Sequence, residues 1–128
     1  MTNSRRKGIN GELEAVKLWS RWFPGCKRSF GQARQGFEQP DIICGGIEKE
    51  FYIEVKRTKS PPTKGQINKW LSKQIDDWWK YVELSGLKPK PILMFRSNGQ
   101  DWTVLFMDGR MCWSQFSAIL TTKYRGER

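Results

Sequence analysis

Residues 51–56 read Phe-Tyr-Ile-Glu-Val-Lys. The alternation puts Phe51, Ile53 and Val55 on one face of a strand and Glu54 and Lys56 on the other. Their Cα atoms then lie roughly 6.5–7 Å apart, at about 3.3 Å per residue. A strand with one apolar face must lie on a core, and this one presents an acid and a base on its second face. An acid and a base two apart also make an ordinary solvated face, so the neighbours decide. Asp41 to Cys44 is a second apolar run, separated from the first by Gly45-Gly46 and the charged Glu48-Lys49-Glu50. That spacing predicts an antiparallel hairpin with Asp41 beside Glu54 across the ladder. Two adjacent carboxylates repel. A divalent cation is the usual remedy, and oxygen-only ligation suits Mg²⁺ or Mn²⁺.

The rest of the chain reads as helices and strands around this pair. Ile9, Leu13, Val16, Trp19 and Phe23 recur at helical spacing, and Pro24-Gly25 stops them. A short strand is expected in 26–31 and a polar loop in 32–39. Ser60-Pro61-Pro62-Thr63 precedes a long helix over Lys64 to Leu84, ended by Ser85-Gly86. Strands follow at Ile92 to Arg96 and Trp102 to Met107, then a terminal helix from Trp113 to Leu120. The expected order is α-β-β-β-α-β-β, with the terminal helix after it. This is one α/β domain with helices packed on a central mixed sheet. Residues 1–7 are expected as a flexible basic arm and 123–128 as a basic tail.

Composition narrows the chemistry. The chain has 128 residues, with 23 Lys and Arg against 13 Asp and Glu, a formal charge of +10, and no histidine. That excludes imidazole bases, His-assisted nucleophiles and imidazole metal sites. Cys26, Cys44 and Cys112 are widely spaced and form no CxxC pair, against a zinc site or a disulfide framework. A reduced, intracellular protein is expected. No apolar run reaches membrane-span length. The surplus charge points first to a nucleic-acid partner, with plain solubility as the alternative.

Two polar residues interrupt apolar helix faces. With Ile9 at the origin and about 100° per residue, Glu12 falls near 300°, inside the apolar arc, with Leu13 at about 40°. An inward carboxylate requires a cation, a buried Arg or Lys, or escape to the rim. Gln74 lies inside the arc of Ile67, Leu71, Trp78, Tyr81 and Val82. It either faces a site or bonds a neighbouring strand's backbone.

Pro40-Asp41 followed by Glu54-Val55-Lys56 resembles the PD-(D/E)xK nuclease signature. Arg6-Lys7-Gly8 before Glu12 is similar to the opening of archaeal and phage Holliday-junction resolvases. So are Arg28-Ser29-Phe30-Gly31-Gln32-Ala33-Arg34, Glu54-Val55-Lys56-Arg57, Gln74, and Phe95-Arg96 followed by Trp102. The resemblance covers roughly residues 5–107. It implies a restriction-endonuclease-like fold and a Mg²⁺-dependent endonuclease (Mn²⁺ as substitute) that resolves four-way DNA junctions as a homodimer, in the cytoplasm, with phage-encoded members acting in the host cell. In it, Asp41, Glu54 and the Val55 carbonyl hold the metal, with Glu12 completing the shell. Lys56 orients the nucleophilic water or stabilises charge at the phosphate, and Gln74 positions Lys56 or the phosphate. Arg28, Ser29, Gln32, Arg34, Arg57, Lys59 and Arg96 are the candidate DNA contacts, with Arg5, Arg6 and Lys7 as the arm. Two alternatives stay open: a nuclease of this fold for flaps, ends or duplex sites, and a non-catalytic basic DNA-binding module.

Overall fold

The computed structural model describes residues 3–29, 39–43, 46–107 and 109–124, with side chains from Gly8 onward. Helix α1 (Asn3–Trp19) leads to the short strands β1 (Lys27–Arg28) and β2 (Ile42–Ile43) and a single turn of helix, α2 (Ile47–Glu50). Strand β3 (Phe51–Thr58), the long helix α3 (Lys64–Ser85), strands β4 (Lys90–Ser97), β5 (Thr103–Phe106) and β6 (Gly109–Cys112), and helix α4 (Trp113–Tyr124) complete the order.

The main sheet runs β3-β4-β5-β6. β3 and β4 are parallel, joined by the α3 crossover, and the other pairs are antiparallel. The expected mixed sheet between helices is therefore what the chain forms. Phe51, Ile53 and Val55 join Ile92, Met94 and Val104 in the core that faces α1 and α4. The opposite face carries Tyr52 against Trp78 and Tyr81, and Leu93, Phe95 and Leu105 against Ile67, Trp70 and Leu71 of α3.

α3 holds its predicted limits because both ends are capped. The Thr63 hydroxyl accepts from the Gln66 N–H at 3.1 Å. Gly86, at φ 77°, closes the other end by donating to the Val82 carbonyl at 3.1 Å. Trp19 anchors the first core, 5.4 Å from Phe51 and 5.6 Å from Phe116 between ring centroids.

Several expectations change. β2 pairs with β1, in the register Arg28↔Ile42, and not with β3. Gly46, at φ 84°, opens the α2 turn where a hairpin turn was expected. α1 begins at Asn3, so residues 3–7 are helical rather than an arm. α4 reaches Tyr124 and takes in the start of the expected tail. β6 was not expected at all. The buried face of α1 is Gly11, Ala15 and Trp19, while Leu13 is 51% exposed. A Cβ on Gly11 would lie 2.6 Å from the Cβ of Arg57, so the missing side chain lets α1 approach β3.

Among the described residues, no helix is long and apolar enough to cross a membrane.

Candidate active site

Asp41 does not need a full ladder to reach β3. Its N–H donates to the Ile53 carbonyl at 2.8 Å, and its Oδ2 accepts from the Val55 N–H at 2.7 Å. These two bonds straddle Glu54, so the two carboxylates adjoin at the open edge of β3. The Asp41 carbonyl accepts from the Ser29 N–H at 2.8 Å, which ties β1 to the same point. Burial pushes the Asp41 carboxyl well above its ordinary range, and the Glu54 charge adds to the shift. The Val55 N–H opposes it, Glu12 reinforces it, and Lys56 opposes it. Asp41, Glu54 and Glu12 thus share one electrostatic neighbourhood, in which burial and the neighbouring carboxylates outweigh Lys56 at Asp41.

Glu12 sits at the margin of the buried face of α1, because that face is centred on Gly11, Ala15 and Trp19. Its carboxylate accepts from Arg28 Nε at 2.8 Å. Arg28, expected at the phosphate backbone, is here the partner of Glu12. With Glu12 turned to Arg28, no three His, Cys, Asp or Glu side chains among the described residues form a ready metal cage. The donors near Asp41 are oxygens: two carboxylates and the backbone of β3. Oxygen donors with surplus negative charge, one carboxyl already desolvated, fit a hard divalent cation.

Lys56 is half-buried on the α3 side of β3, and its ammonium lies over the Trp70 ring, 5.9 Å from the centroid. Sequence reasoning missed Trp70, since only the α3 crossover brings it to Lys56. Gln74 is 2% exposed, and its Nε2 donates to the carbonyls of Ile92 (2.8 Å) and Tyr52 (3.4 Å). The expected contact of Gln74 with Lys56 or the phosphate is replaced, for its amide nitrogen, by a clamp across β3 and β4.

Arg57 and Arg96 are also committed to the fold. They are partners in the β3–β4 register, and like charges side by side need a counter-ion. Glu14 supplies it. Arg96 Nη1 donates to Glu14 Oε1 at 3.0 Å, and Arg57 Nε lies 3.5 Å from the same oxygen without hydrogen-bond geometry. Arg57 Nη1 donates to Asn98 Oδ1 at 2.8 Å, and Arg96 Nε to the Gln100 carbonyl at 2.8 Å. The signal for Glu14 is the Arg57–Arg96 register, which sequence alone does not supply. Lys59 is exposed, and the Ser29 hydroxyl is buried without a hydrogen-bond partner. Gln32 and Arg34 lie outside the described residues, as do the side chains of Arg5, Arg6 and Lys7.

Residues 3–124 match the model of a family described as "Phage putative PDDEXK endonuclease". The chain belongs to this family. Its fold is also that of Hjc, a Holliday junction resolvase from the archaeal hyperthermophile Archaeoglobus fulgidus. That structure is 14% identical, with a TM-score of 0.53, over 87% of this chain and 93% of that one. No curated protein sequence matches. PD-(D/E)xK nucleases generally use divalent metals, and the oxygen donors around Asp41 suit one.

Proposed function

We propose that this PD-(D/E)xK endonuclease is Mg²⁺-dependent and resolves four-way DNA junctions. The observation that carries the reading is the Asp41 carboxylate, pinned by the Val55 N–H beside Glu54 and held above its ordinary pKa by burial and that neighbouring charge. Two adjoining carboxylates with oxygen donors around them suit a hard divalent cation. Asp41, Glu54 and the Val55 carbonyl would hold the ion, with Glu12 within reach once it parts from Arg28. Bound Mg²⁺ supplies charge stabilisation at the scissile phosphate and a more acidic water.

The chain's own residues do the rest. Lys56 follows Glu54 on the same strand face, so its ammonium orients the incoming water or faces the non-bridging phosphate oxygens. Arg28 neutralises Glu12 until DNA arrives, and the basic surface draws the phosphodiester backbone in. Gln74, Arg57 and Arg96 hold the strands that carry the site. The branched substrate is carried over from the likeness to Hjc, a Holliday junction resolvase. A single nuclease domain carries one such site, and a four-way junction needs two symmetric cuts, so the working form is a homodimer with two-fold symmetry.

The test is cleavage of a four-way junction beside a matched linear duplex, with Mg²⁺ and with chelator, using wild type, Asp41→Asn, Glu54→Gln and Lys56→Ala. The junction should be cut preferentially, only with Mg²⁺ or Mn²⁺, and each variant should lose orders of magnitude in rate while still binding DNA. Mixed wild-type and Glu54→Gln subunits should nick one strand and leave its mate. Equal cutting of linear duplex by a monomer would assign the chain to other DNA substrates. Full turnover in excess chelator would refute the metal site.

A further inference from the structure

Trp70 belongs to no part of the machinery assigned above. It is half-buried in the second turn of α3, its ring centroid 5.9 Å from that of Phe95. Phe95 is the register partner of Lys56, whose ammonium lies over the same indole. Trp70 also lines an open cleft of about 540 Å³ together with Thr63, Gly65, Gln66 and Lys69. Of these, only Lys69 is charged, and its side chain is exposed. Among the described residues, no carboxylate lines the cleft. An aromatic wall, an ammonium and a side-chain amide complement a π-face attached to a phosphate, and they do not complement a cation.

We propose that this cleft is a nucleobase subsite: an unpaired base next to the scissile phosphate stacks on Trp70 while Lys69 takes the adjoining phosphate. The inference rests on the reading of the chain as a branch-directed nuclease and deepens it. Bases inside a duplex are stacked on one another and do not reach a protein ring, whereas bases at a branch unstack at lower cost. Every base has a π-face, so stacking selects for the branch without reading sequence. Lys56 on the same indole then places the proposed cut one step from the stacked base.

The test uses junctions carrying 2-aminopurine, or an abasic site, at each position around the branch, bound in Ca²⁺ without cleavage. Wild type should quench the probe at one or two positions. An abasic site there should weaken binding about tenfold, in line with loss of one stacked base. Trp70→Leu should abolish the quench and make the abasic site neutral, and Trp70→Phe should restore both in part. Circular dichroism checks each fold, and Trp70→Phe keeps the comparison valid if the leucine variant unfolds. The same quench and abasic penalty in all three proteins would overturn the subsite. A wild type that binds no branched DNA would instead overturn the branch-directed reading, and the subsite with it.

Discussion

Replacing Gln74 with leucine separates a structural clamp from a catalytic amide. Leucine keeps about the same bulk and removes both donors. The bond to the Ile92 carbonyl, at 2.8 Å, is a good one in a site only 2% exposed. Losing it costs about 1–3 kcal/mol in all. The bond to the Tyr52 carbonyl, at 3.4 Å, contributes less. Leucine's greater apolar burial offsets part of the loss. The expected destabilisation is about 2 kcal/mol, read from urea unfolding. Heat melting should fall by roughly 8 °C, at about 4 °C per kcal/mol for a domain of this size. Cleavage by the folded variant, well below its melting point, should stay within several-fold of wild type. A variant with stability unchanged within about 0.5 kcal/mol and a rate lowered by two orders of magnitude or more would refute the clamp and return Gln74 to the reacting phosphate.

Asp41→Asn should stabilise the metal-free protein at neutral pH while removing cleavage. The raised Asp41 pKa means that its protonated form favours folding below the ordinary carboxylate range. That favour is lost as pH climbs through the folded value, so the variant's advantage should grow as pH rises above the ordinary carboxylate range and vanish on acidification below about pH 4. Denaturation in chelator across pH measures this, and a variant less stable than wild type at pH 7 would contradict it. Mg²⁺ at about a hundred times its Kd should raise wild-type stability by about 2.7 kcal/mol and leave Asp41→Asn unmoved, as followed by melting without DNA. Gly11→Ala should cost ~1–3 kcal/mol despite alanine's better helix propensity, because the new methyl meets Arg57 at 2.6 Å; a gain in stability would show that α1 does not rest on β3 there.

Strand β3 and helix α3 were legible because period and caps agree in both. The alternation of 51–56 sorts residues to two faces, and Thr63 and Gly86 punctuate the helix where backbone groups run out of partners. The pairing of Asp41 with Glu54 was legible for a narrower reason. The predicted hairpin is absent, yet one backbone bond and one side-chain bond preserve the adjacency that it implied. The face of α1 was misread because apolar residues were weighed and small ones were not. Gly11 and Ala15, four apart, permit close approach, which hydropathy does not register. β6 carries no alternation, since Gly109-Arg110-Met111-Cys112 lies at an edge and three of its residues are exposed. Arg57, Arg96 and Trp70 depend on register and crossover, which exist only once the chain has folded. Charge alone singled out the two arginines, and their shared ion pairing with Glu14 was not visible in it.

The bond from the Ser29 N–H to the Asp41 carbonyl closes the neck of everything between those residues. Among the described residues, Asp41 takes its position from β3 and from this closure. A change of chain length between Ser29 and Asp41 that keeps this bond should therefore leave the carboxylate where it is.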